Sequence, residues 1–127
     1  MNFNGKYRAY VVDVNDPENR GRIKVSVPAV TMEYHTTWCE PCFPYGEFST
    51  PNVGECVWVE FQQGDLGKPV WVGTWYSQGN APCSKGTKAI TYGGASILLT
   101  GGRVLINGVD VLNQLSILEK KIDALKG

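Results

Sequence analysis

The sequence predicts a mostly β protein in three parts. A small closed barrel of five strands occupies residues 1–77, a short β appendage residues 86–108, and an amphipathic helix residues 109–127, with a linker over 78–85. Three observations carry this reading. Five segments rich in β-branched and aromatic residues follow one another with turn signals between them, and none of the connections is helical enough to cross over. Glycines then recur at a fixed interval of eight, with Gly86, Gly94 and Gly102 in one series and Gly93 and Gly101 in another. Finally, Val111, Leu115, Leu118, Ile122 and Leu125 alternate in steps of four and three, which is heptad spacing.

The first strand is Tyr7 to Val14, rich in aromatic and β-branched residues. A dense turn cluster, Asn15-Asp16-Pro17-Glu18-Asn19-Arg20-Gly21, separates it from Arg22 to Val27, where Ile23, Val25 and Val27 alternate with Arg22, Lys24 and Ser26. Pro28 stops that strand, and residues 29–37 are irregular. Trp38 to Phe43 reads as a third strand, held to an edge by Pro41 and Pro44. Glu55 to Phe61 carries bulky apolar groups on both faces and reads as central, and Pro69 to Tyr76 is the fifth strand, with Gly73 marking a bend. The expected barrel core is Val25, Val27, Trp58, Val70 and Val72. After Asn107-Gly108, Asp110 is positioned to cap the helix, and Lys120, Lys121 and Lys126 suit its C-terminal dipole.

Composition narrows the function classes. Hydrophobic residues make up 43% and charged residues 19% of the 127, which is a globular balance. Lys+Arg and Asp+Glu are both 12, so the formal net charge is +0. A protein that lives by phosphate contacts carries a basic excess or stripe, so the balance argues against nucleic acid as the main partner. No apolar run approaches the roughly 20 residues of a membrane span, and no signal peptide is expected at the N-terminus.

Several residue groups invite a chemical role. Cys39-x-x-Cys42 with His35, Cys56 and Cys83 could hold zinc, but a structural site usually takes two close pairs and only one is present, so free thiols acting as small hydrophobes are expected. Tyr7, Tyr10, Trp38, Trp58, Trp71 and Trp75 could form a stacking platform for single strands; the competing expectation is barrel core and interface packing. Asp13, Asp16, Glu18, Glu55 and Glu60 could supply a carboxylate pair for glycoside hydrolysis, such as peptidoglycan cleavage, yet no spacing selects two of them. Arg20, Arg22 and Lys24 form the one compact basic group, expected on a solvated or interfacial face. No nucleophile elbow, phosphate loop or His-Glu-x-x-His occurs. The expectation is a protein without catalytic residues, cofactor or resident metal.

An ordered set of motifs carries a resemblance. Asp16-Pro17-Glu18-Asn19-Arg20-Gly21-Arg22 leads into a Val-rich strand ending at Pro28, and Trp38-x-x-Pro41 follows. Pro51-Asn52-Val53-Gly54 then precedes a second Val-rich strand, and Gly64-Asp65-Leu66-Gly67-Lys68 precedes Pro69-Val70-Trp71-Val72-Gly73. Over residues 5–77 the chain resembles the oligomer-binding-fold (OB-fold) domain of the phage baseplate central-spike family, the baseplate assembly protein V and cell-puncturing spike proteins. The resemblance implies a five-stranded OB-fold barrel, followed here by the glycine-punctuated β appendage, which is similar to the family's shaft repeats, and the C-terminal α-helix. It also implies a structural virion protein of a contractile phage tail or related injection system, made in the bacterial host cytoplasm. Such a protein is a homotrimeric tail-spike or hub subunit of the baseplate, docked on a trimeric tail hub.

Within that expectation the trimer interface is Ile90, Ile97, Leu99, Val104 and Ile106 in the appendage and Val111, Leu115, Leu118, Ile122 and Leu125 in the helix. Partners are further copies of the chain, the hub and other baseplate proteins, with no membrane insertion. The alternative expectation is an OB-fold module that binds single-stranded nucleic acid.

Overall fold

A computed structural model describes residues 2–127. The chain divides into two compact units, the first ending at Gly79 and the second running Asn80–Gly127. The boundary falls where Ser77 to Gly86 form no strand or helix.

The first unit is built on β1 (Tyr7–Asp13), β2 (Lys24–Ser26), β3 (Glu40–Pro41), β4 (Cys56–Phe61) and β5 (Pro69–Thr74). They form one sheet in the order β2–β1–β4–β5–β3, antiparallel except for the β3–β5 pair. Two isolated bridges, Ile23–Cys39 and Ser26–His35, tie the β2 side to the chain leading into β3. At the first of these the backbone amides and carbonyls of Ile23 and Cys39 exchange hydrogen bonds of 3.3 and 2.7 Å. The third strand is only two residues long. Pro41 has no amide to donate, and Pro44 follows it, so the longer strand expected from Trp38 to Phe43 cannot sustain a ladder.

The core comprises Ala9, Val11, Ile23, Val25, Val27, Cys39, Val57, Val59, Phe61 and Trp71. Cross-strand register assembles it in rows: Val11 faces Val25, Ala9 faces Val57, and Val59 faces Trp71. Val25 and Val27 are core, as expected. Trp58, Val70 and Val72 are not; they lie half-buried on alternate positions of β4 and β5. Both faces of β4 carry bulky apolar groups, so alternation within that strand cannot set its phase. Pairing with Ala9 sets it and turns Val57 inward.

The second unit is a meander of β6 (Lys88–Tyr92), β7 (Ala95–Thr100), β8 (Arg103–Ile106) and β9 (Val109–Asp110), followed by α1 (Val111–Lys126), which lies against β8 and β9. Its three turns, Gly93-Gly94, Gly101-Gly102 and Asn107-Gly108, have positive φ at both residues. That is the conformation of tight hairpins whose twist matches the flanking strands. Val109 and Asp110 pair with Ile106 and Leu105 as β9, and the helix begins directly after them. Asp110 caps it, its carboxylate accepting from the Asn113 amide at 3.1 Å. No residue of α1 is buried.

Candidate functional site

The turn between β1 and β2 is organised around one carboxylate. Asp16 accepts from the amides of Glu18, Arg20 and Arg22 at 2.9, 2.9 and 3.2 Å. It also accepts from Arg22 Nε at 3.1 Å and Arg22 Nη2 at 2.8 Å. Asn19 and Gly21 take positive φ, which curls the backbone until those donors converge. The Arg22 guanidinium holds the Asp16 carboxyl well below the usual carboxylate range, with the three amides adding to it and desolvation opposing. Arg22 also bonds Glu18 at 2.9 Å, and Arg20 Nη2 reaches both oxygens of Glu40 beside β5 at 2.7 and 2.9 Å.

Gly21 anchors the same turn to the core. Its carbonyl accepts from the Trp71 indole at 3.0 Å, and a Cβ there would stand 3.0 Å from the Phe43 ring. The group Arg20, Arg22 and Lys24 is therefore not a free basic patch. Two of its members are bound to carboxylates, and the Lys24 ammonium lies 4.8 Å from the Trp38 ring centroid.

The aromatic residues named from sequence divide among three places. Trp71 and Tyr7 belong to or pack on the core. Trp38 stands under Lys24 and Arg22. Tyr10, Trp58 and Trp75 cluster on the outward side of β1, β4 and β5, with Trp75 lying 5.7 Å from Tyr10 and 6.3 Å from Trp58 between ring centroids. Arg8, unnoticed in the sequence, completes this last group. Its guanidinium carbon lies 4.5 Å from the Trp75 centroid and 5.5 Å from that of Trp58. The available signal was period two: Arg8 and Tyr10 share a strand face opposite Ala9 and Val11.

The remaining candidate groups do not converge. Cys39 is buried, Cys42 exposed, and Cys56 and Cys83 half-buried, all as free thiols. Among the described residues no group of three His, Cys, Asp or Glu side chains is placed to hold a metal ion. Burial pushes the Cys39 thiol up to about 11, with the contact to the Thr36 hydroxyl at 3.2 Å pulling the other way. The carboxylates are engaged locally: Asp13 with the Asn15 amide, Glu55 with the Asn52 amide, and Glu60 with Lys6. Asp16 and Glu18 share Arg22.

Most of the exposed large apolar side chains are in the second unit. Ile90, Ile97 and Ile106 stand directly opposite one another across β6, β7 and β8, and Leu99 faces Val104 beside them. All five are exposed, from 37% at Val104 to 63% at Ile90. In α1, Leu115, Leu118, Ile122 and Leu125 are exposed and Val111 is half-buried. Among the described residues no helix is long and apolar enough to cross a membrane.

Residues 7–76 match the family model described as the type VI secretion system/phage-baseplate injector OB domain. No curated protein matches the chain.

Proposed function

The chain belongs to the type VI secretion system/phage-baseplate injector OB-domain family, and from that premise we propose that it is a homotrimeric spike or hub subunit of a contractile tail or related injection system. Membership gives it a structural place among baseplate proteins. In the proposal, the first unit is a closed five-stranded OB barrel that docks on the tail hub, and the second holds three copies together. No catalysis is involved.

The observation that carries this reading is the exposed apolar face of the second unit, Ile90, Ile97, Leu99, Val104 and Ile106, next to a helix with no buried residue. An exposed, contiguous apolar surface marks an interaction site. Each aliphatic side chain taken fully from water contributes ~1.5–3 kcal/mol, so three copies of this face can hold a trimer. The heptad positions of α1 add a second exposed apolar stripe, and a lone helix of this length is marginal in water. The bridges Ile23–Cys39 and Ser26–His35 support barrel closure, since they bring together the two sides of the first unit's sheet.

Light scattering on the full-length chain tests the assembly. The expected mass is three times the 14.0 kDa of one chain. A monomer at micromolar concentration would sink the self-trimer.

A further inference from the structure

The first unit has three arginines, and the structure treats them differently. Arg20 is bound to Glu40, and Arg22 to Asp16 and Glu18. The Arg8 guanidinium has no carboxylate partner and no hydrogen bond among the described residues; its contacts are the rings of Trp58 and Trp75. A guanidinium stacked on aromatic faces keeps its N–H edge available for a planar anion, and the rings shield that edge from water. Beside it one position of the sheet carries no side chain. Gly73 stands opposite Trp58, and no atom lies within 4 Å of where its Cβ would be. Tyr10 and Trp75 close the other side, their rings edge to face. Trp, Tyr and Arg are the residues that dominate protein–protein binding energy.

We infer that the surface formed by Arg8, Trp58, Trp75 and the open position at Gly73 docks an acidic segment of a partner protein. A carboxylate is received on the N–H edge of Arg8, and the apolar chain flanking it lies against Trp58 and Trp75. Two observations favour a protein carboxylate over nucleic acid. The ring faces that would stack bases are covered by the guanidinium, and a strand's phosphates need a track of cations, whereas this face offers Arg8 and a Lys6 already bound to Glu60 at 2.9 Å.

The test is an array of short peptides, each with one Asp or Glu flanked by Leu, Val or Pro, beside its Asn or Gln counterpart, probed with the full-length chain at low and high salt. Acidic members should bind at least about tenfold tighter than their amide counterparts, and salt should narrow the gap. Arg8→Ala should abolish the gap. Arg8→Lys should retain part of it, since the charge stays and the planar fork is lost. Equal binding of acid and amide, no binding by any member, or an unchanged gap in Arg8→Ala would each overturn the assignment. Oligothymidylate, the second probe, would overturn it by binding with the same dependence on Arg8 in place of the peptides. Light scattering of Arg8→Ala should give the wild-type mass, so the result is independent of the trimer.

Discussion

Val57 and Val59 alternate along β4 and are wholly buried, whereas Ile97 and Leu99 alternate along β7 and remain more than two-fifths exposed. The sequence pattern is the same in both strands; what differs is the second layer. In the first unit residues from β1, β2, β4, β5 and the chain before β3 meet inside one sheet, so inward side chains pack on one another. The second unit is a four-stranded meander with one helix against β8 and β9, and its Ile90–Ile97–Ile106 row is left exposed. A β face is stable only against another layer. Apolar alternation therefore announces a buried face without saying whose residues bury it.

The sharpest way to break this comparison is to place the same charge in both strands. Val57→Asp buries a carboxylate among Ala9, Val59 and the rest of the core, and should cost at least ~4 kcal/mol and abolish cooperative unfolding of the first unit, as read by denaturant titration. Ile97→Asp puts the charge on an exposed face. It should leave cooperative unfolding of the first unit unchanged while light scattering falls from trimer to monomer. If Ile97→Asp instead unfolds the chain at every concentration, the second unit has a core of its own and the contrast fails.

A smaller effect is expected at the joint between the β1–β2 turn and the core. Gly21 combines a φ of 77° with a Cβ position 3.0 Å from Phe43, so Gly21→Ala meets backbone strain and a ring that must move. The loss should be ~1–3 kcal/mol in thermal or chemical unfolding. The equivalent change at Gly94, where φ is also positive but no atom lies within 4 Å, should fall at the low end of that range, because only the backbone term applies.

The first unit also sets two pH limits. Asp16 has a folded pKa below its ordinary value of 3.8, so its contribution is whole above about pH 4 and is lost as pH falls toward the depressed value. Asp16→Asn should melt several degrees lower than wild type at pH 7, and the two should converge as pH drops below 4. Cys39 acts in the opposite direction. Burial keeps its thiol neutral up to about 11 against an ordinary 9.0, so stability is whole below pH 9 and falls as pH rises through 11. Cys39→Ser should remove that alkaline slope. Exposed Cys42 should react with iodoacetamide at pH 8 while Cys39 stays protected.

The long strands were legible because β1, β4 and β5 alternate over six or seven residues. The phase of β4 was not, since Trp58 and Val57 are equally apolar and only the Ala9–Val57 pairing separates them. The heptad positions of α1 were readable from spacing alone. The role of Asp16 lay beyond sequence reasoning about carboxylate pairs, because its donors converge only through the positive φ of Asn19 and Gly21. Arg8 was overlooked for a related reason: its aromatic partners lie on β4 and just after β5, and cross-strand register brings them together. Local period and spacing were visible in the chain. Features that depend on which strand lies beside which were not.

The smallest expected effect bears on the second unit alone. Asp110 accepts from the Asn113 amide and ends β9, so Asp110→Ala removes a helix cap and should cost ~1 kcal/mol of helix stability. In a helix packed into a finished core that loss would shift the melting temperature and leave helicity at 25 °C intact. In α1 no residue is buried within the chain, and the proposed trimer makes helix formation depend on association. The same substitution should then lower helicity strongly in dilute samples and hardly at all in concentrated ones. A helicity loss that does not change with concentration would mean that the meander alone supports α1, and that the partner-dependent surface is confined to β6, β7 and β8.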